Sequence, residues 1–163
     1  MRRYLKHLTT MPWRLQRCFP RVTLEAITAA IHAAETRHSG EIRFAIESRL
    51  DFGHLRAGID ARSRSHEVFA HRRVWDTHAN NGVLIYLLLA ERDIEIVADR
   101  GFSGKVSEDE WAEVCRSMES DFAAGRFEAG AIAGIERVSD LIARHFPPTA
   151  DDRNELPDAP VII

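Results

Sequence analysis

Cysteine is scarce in this chain, and its scarcity removes two classes of protein. Only Cys18 and Cys115 occur in 163 residues, in no CxxC or other ligand spacing. Neither a disulfide framework nor a thiolate metal knuckle is therefore encoded. A bridge between the two stays open, although two isolated thiols are the ordinary content of a reduced, cytosolic protein. Long apolar runs are also missing. A membrane-spanning helix needs roughly 20 apolar residues, and the longest run, residues 83–90, has the length of a strand. The basic N-terminus lacks the apolar segment and small-residue cleavage site of a signal peptide. The expected location is the cytoplasm, with a peripheral position at the inner membrane as a variant of it. A net charge of −3 and a pI near 6.2 provide no global basic field, which argues against nucleic acid as a partner.

Acid is missing locally. Residues 1–21 carry Arg2, Arg3, Lys6, Arg14, Arg17 and Arg21 without one carboxylate, interleaved with Tyr4, Leu5, Leu8, Met11, Trp13, Leu15 and Phe19. This basic arm either packs on the domain or meets a protein partner or membrane surface by charge and aromatic insertion. The tail, residues 147–163, has the opposite bias: Asp151, Asp152, Glu155 and Asp158 oppose a single Arg153. After Pro147-Pro148 it is expected to be disordered. Between them, residues 22–146 have the length for one domain, and the whole chain, at 45% hydrophobic and 29% charged residues, has ordinary globular composition.

The periodicities alternate between helix and strand. Thr23 is a candidate N-cap for a helix to about residue 37, with Leu24, Ile27, Ala30, Ile31 and Ala34 on one face. Ile42, Phe44 and Ile46 then alternate with Glu41, Arg43 and Glu47, the period of a strand. A second helix is expected over 55–74, with Arg62, Arg64, Arg72 and Arg73 outward. Residues 82–89 form a continuous apolar strand, covered on both faces. The short link Glu91-Arg92-Asp93 joins it to a strand over 94–99, a hairpin signal requiring antiparallel pairing. Ser107 and Glu110 make a capping box for a helix to about residue 124, and a last helix runs over 127–145. The fold class is α/β: a three-layer α/β/α sandwich on a small mixed sheet of three or four strands.

Several segments, in order, resemble a known family. Residues 81–87, Asn-Gly-Val-Leu-Ile-Tyr-Leu, resemble the "NGVLL" strand of TPM domains. Residues 92–97 are similar to the partner strand of that family, and Asp99-Arg100-Gly101-Phe102 to the turn after it. Residues 122–130, Phe-Ala-Ala-Gly-Arg-Phe-Glu-Ala-Gly, and 39–43, Ser-Gly-Glu-Ile-Arg, resemble two further elements. The resemblance spans about residues 34–146 and implies an α/β/α sandwich. It also implies roles known of the family: calcium binding in some members, a proposed weak acid phosphatase, and membrane-associated assemblies. Asn80 departs from the pattern, since many members have an aspartate directly before Asn-Gly.

Parallel first and second strands with an antiparallel third would gather Glu41, Asn80, Asn81 and Asp99 at one sheet end, with Asp76 in the adjoining loop. Carboxylate, amide and backbone oxygens suit a hard cation, calcium or magnesium. The same residues also serve simply as a turn and as ion-pair partners of Arg43 and Arg100. Asp76-x-His78-x-Asn80 begins like an EF-hand loop, but Gly82 comes one residue late and the twelfth position is Leu87. In His66-Glu67-Val68-Phe69-Ala70-His71 the histidines are five apart rather than four, roughly 140° around a helix, so they do not share a zinc. No serine or cysteine carries a nucleophile signature. Gly101-Phe102-Ser103-Gly104-Lys105 lacks Walker spacing. The leading expectation is a non-enzymatic binding or scaffold module, using a divalent cation, in a membrane-associated or protein assembly. Metal-assisted phosphatase chemistry around Asp76, Asp99 and Glu41 is the alternative, and a purely structural role is the third.

Overall fold

The computed structural model describes residues 2–10, 12–150 and 153–163. Met11, Asp151 and Asp152, counted above in the arm and the acidic tail, lie outside the described residues. Four strands, β1 (Glu41–Glu47), β2 (Gly82–Leu88), β3 (Asp93–Ala98) and β4 (Val161–Ile162), form one sheet in the order β3-β2-β1-β4. β1 and β2 are parallel and β2 and β3 antiparallel, which gives the mixed sheet and hairpin expected from the sequence. All seven residues of β2 are buried, as its continuous apolar run required. Arg92 makes the hairpin turn with φ 56°, the left-handed conformation that a non-glycine residue rarely adopts.

Helices cover both faces. α3 (Arg21–Glu35), α6 (Glu108–Ala123) and α7 (Phe127–Ala143) pack against Ile42, Phe44, Ile46, Val83, Ile85 and Ile96. On the opposite face, α4 (Phe52–Arg56) and α5 (Ala61–His71) cover Ala45, Leu84, Tyr86 and Val97. The capping box opens α6: Ser107 Oγ accepts from Glu110 N at 3.3 Å, and Glu110 Oε2 accepts from Ser107 N at 2.9 Å.

Local chemistry moves three boundaries. α3 starts two residues before Thr23, directly after Pro20, so Thr23 sits in its first turn and its hydroxyl donates to Glu128 Oε2 at 2.6 Å. The single helix expected over 55–74 is two. Gly58 at φ +73° ends α4, and Asp60 then caps α5 by accepting from Ser63 N at 2.8 Å. The basic arm is helical, α1 (Arg2–Thr9) and α2 (Pro12–Cys18), and its far end joins the core: Phe19, 1% exposed, meets the edges of Phe122 and Phe127.

The tail departs most from expectation. Residues 153–163 are not free of the domain: they return along β1 and end in β4, parallel to it. The shortness of β4 concealed this. Leu156, Val161 and Ile163 join the apolar cluster under α5, but otherwise the segment is polar and proline-broken, and the amides of Glu155 and Leu156 that Glu41 holds leave no mark on composition.

Candidate functional site

The sheet end foreseen in the sequence exists. β1 and β2 start there and β3 ends there, with Glu41 opposite Gly82 and Asp99 N donating to Gly82 O at 2.9 Å. Glu41, Gly82 and Asp99 therefore form one row across three strands. Side-chain alternation directs that row to the α5 face. Asn81, one residue earlier, belongs to the other face, where its Nδ2 donates to Ser39 O at 2.6 Å. The carbonyl of Val74 rests directly on Gly82, and a Cβ there would collide with it.

The five candidate ligands are thus gathered by their backbones and separated by their side chains. Glu41 is 4% exposed, and its two oxygens accept from Glu155 N and Leu156 N at 3.0 Å each. Asp76 pairs with Arg73 at 2.7 Å, and Asn80 Oδ1 accepts from Arg100 Nε at 2.9 Å. Asp99 Oδ1 accepts from Arg100 N at 2.7 Å. Two oxygens remain buried without a hydrogen-bond partner, Asn81 Oδ1 and Asp99 Oδ2, and they belong to opposite faces of the sheet. Among the described residues no three of His, Cys, Asp and Glu converge as a metal would require. As folded, the five do not fit one cation. The pleat turns Asn81 away from the row of Glu41 and Asp99, and Glu41, Asp76 and Asn80 are each taken by other partners: the amides of Glu155 and Leu156, Arg73, and Arg100.

Asp99 also lines a cleft of about 520 Å³ between α5, the end of β3 and the start of α6, together with Arg62, His66, Arg100, Ser103 and Trp111. Arg62 is already engaged, donating to Ile96 O at 2.9 Å and to Glu95 at 3.2 Å. Burial raises the pKa of both cysteine thiols, against the thiolate form that a nucleophile needs. Both are free, and burial, reinforced by Glu95 and Glu119, pushes the Cys115 thiol up to about 12. His66 and His71 are exposed on α5.

Two buried polar groups escaped the sequence. Arg64, expected outward, turns inward at 14% side-chain exposure, because Glu47 waits beneath α5 with an oxygen 2.9 Å from its Nε. The same Glu47 oxygen accepts from Tyr86 Oη at 2.8 Å, and burial together with that carboxylate pushes the phenol far above its ordinary range. His7, 1% exposed, fastens the arm. Its Nδ1 accepts from Leu50 N at 3.0 Å, and its Nε2 lies 2.6 Å from Glu91, which also binds Arg3. Glu47 falling on the alternating polar side of β1 was a signal for the first; nothing local marked the second.

The arm leaves a second candidate surface. Leu5, Leu8, Trp13 and Phe52 are 61%, 64%, 60% and 68% exposed. Tyr4, Leu8 and Phe52 line a shallow groove of about 400 Å³ where α1 crosses α4. Lys6, Arg17, Arg49 and Arg56 are exposed on the same two segments and their flanks. Asp51, the acid at the groove, is bonded to His54 at 2.8 Å.

Comparison with known proteins agrees with this architecture. The BA42 protein from the psychrophilic bacterium Bizionia argentinensis is similar at 33% identity, with 86% of this chain and 92% of that one covered and a TM-score of 0.76. The N-terminal domain of a P. gingivalis protein shares the fold at 16% identity, covering 79% and 81% of the two chains with a TM-score of 0.62. That of a Corynebacterium glutamicum protein does so at 15% identity, covering 75% and 72% with a TM-score of 0.54. No functionally curated protein matches. The model of the TPM domain matches residues 16–141, most of the chain, and the protein belongs to the TPM domain family.

Proposed function

We propose that this protein is a non-enzymatic interaction module that attaches to an anionic lipid surface through its N-terminal arm, as part of a membrane-associated assembly. The observation that carries the reading is the exposed apolar set Tyr4, Leu5 and Leu8 on the basic arm, extended across the groove by Phe52 of α4. Large apolar side chains left in water beside a groove are characteristic of interaction surfaces. Basic residues near an anionic leaflet each contribute roughly 1 kcal/mol, and Leu and Phe side chains add insertion into the headgroup region. The described helices include none long and apolar enough to cross a membrane, so attachment by this route is peripheral.

Vesicle co-sedimentation tests it. Deleting the arm is not a clean perturbation, because Leu15 and Phe19 belong to the core. The double variant Leu5→Glu/Leu8→Glu changes exposed positions only. The unsubstituted chain sediments with phosphatidylserine vesicles and not with phosphatidylcholine alone, and the variant stays in the supernatant. Equal sedimentation of both proteins removes the proposal.

A second reading, cation capture, rests on Asp99 Oδ2, a buried carboxylate oxygen without a hydrogen-bond partner in the row of Glu41, Gly82 and Asp99. A buried acceptor left unpaired is costly, and calcium or magnesium would satisfy it. The phosphatase alternative would use the same cleft and depend on the same ion. Amide shifts in a calcium and magnesium titration test both. Shifts at residues 74, 82 and 99–101 that vanish in Asp99→Asn support capture, and unmoved amides at millimolar metal end it.

A further inference from the structure

On one side β1 is covered by β2, and on the other, among the described residues, its edge is closed by β4 of the tail. The ladder there is two residue pairs, Ala45 with Val161 and Ile46 with Ile162. Ile163 N extends it by donating to Ile46 O at 2.9 Å. Two charged side chains of β1 hold the approach to this ladder. Glu41 takes the consecutive amides of Glu155 and Leu156, one on each oxygen, at 3.0 Å. Arg43 donates to the carbonyls of Pro157 and Ala159. Leu156, 8% exposed, completes the apolar cluster under α5.

Both of these β1 side chains read main chain, while the tail's own Asp158 and Glu155 add a pair with His32 Nδ1 at 3.0 Å and a bond from His78 N at 3.0 Å. A buried carboxylate on two N–H groups and a guanidinium on two C=O groups recognise an extended backbone and fix its direction. An apolar socket for Leu156 then sets the register. This is the anatomy of a strand-addition site, in which main-chain bonds supply affinity and a pocket supplies specificity. We infer that the outer edge of β1 is a peptide-acceptor groove, and that the tail of a second copy of this chain fills it in trans.

The second copy is favoured on three grounds. Its tail carries the sequence that the groove already fits. Exchange preserves each contact, so its free-energy cost is that of association. Residues 153–160 form no helix or strand and can lift away, because a two-residue ladder closes weakly. The chain's own tail competes at an effective concentration in the millimolar range. Exchange is therefore a feature of crowded copies, not of dilute ones.

The probe is a fluorescent peptide of residues 153–163, titrated by anisotropy into the full-length chain. Leu156→Asp places a carboxylate against the apolar cluster, loosens the resident tail and vacates the groove. The peptide then binds this variant on the order of tenfold more tightly than the unsubstituted chain, and Glu41→Gln in the Leu156→Asp background abolishes the binding. Amide spectra report that the core is native. Should Leu156→Asp fail to fold, Val161→Pro weakens the ladder from a half-exposed position and serves in the same comparison. Absence of saturable binding to a folded tail variant overturns the inference, and so does binding indifferent to Glu41→Gln.

Discussion

Two buried or half-buried groups titrate in the same pH range with opposite effects on stability, and substituting one exposes the other. His38 is 0% exposed, and burial lowers its pKa from 6.5 to about 4. Below pH 6.5 the unfolded chain takes up a proton that the folded one refuses, so this stability is present above 6.5 and lost as pH falls toward 4. Asp93 behaves inversely. Burial first, then Glu95, Glu119, Glu91 and Asp60, raise its pKa from 3.8 to about 6, so the folded chain protonates first and gains stability as pH falls from 6 toward 3.8. At pH 5 the His38 loss is about 2 kcal/mol, from one and a half units at 1.36 kcal/mol each. The Asp93 gain is about 1 kcal/mol after allowance for solvent screening of a half-exposed carboxylate. Asp93→Asn removes the gain. Urea unfolding followed by tryptophan fluorescence at pH 7 and pH 5 measures both proteins. Between the two pH values Asp93→Asn loses about 1 kcal/mol more than the unsubstituted chain. Carboxylates held low elsewhere, such as Asp51 and Glu67, are common to both proteins and cancel. Equal losses in the two proteins would refute the reasoning.

Two further outcomes follow from buried charge and backbone strain. Arg64→Met strands Glu47 beneath α5, and removal of one member of a buried pair costs roughly 3 kcal/mol; a lowered urea midpoint at unchanged m-value is the expected signature. Arg92→Gly relieves the φ of 56° in the hairpin turn and raises stability by about 1 kcal/mol, read from the same denaturation curves.

How much of this was legible in the sequence depended on range. The hairpin, the capping box and the buried β2 were readable because each is written within a few neighbouring residues: an apolar run, a Ser107–Glu110 spacing, a short polar link. Strand directions followed, and with them the gathering of Glu41, Asn81 and Asp99 at one sheet end. Which face each side chain takes depends on register, and there the single-cation arrangement came apart, with Asn81 and Asp99 on opposite faces. Arg64 pointed inward because Glu47 is its partner across the layer, a contact that helical periodicity does not encode. β4 was invisible for a related reason. A two-residue strand has no period, and the groups holding it in place are the main-chain amides of Glu155 and Leu156. Gly58 and Asp60 are a helix stop and a helix start in sequence as in structure, and the apolar spacing that continues across them, from Leu55 and Ile59 to Val68, masks the break.

Contact between the arm and lipid is best measured residue by residue. In bicelles containing phosphatidylserine and a spin-labelled lipid, paramagnetic broadening of the amide spectrum maps the face that meets the surface. The account predicts the strongest broadening at residues 4–8 and 52–55, with β1, β2 and β3 unaffected, and its disappearance in Leu5→Glu/Leu8→Glu. Broadening centred elsewhere, for instance around exposed Val22 or Trp75, or a spectrum that the labelled lipid leaves unchanged, would contradict it.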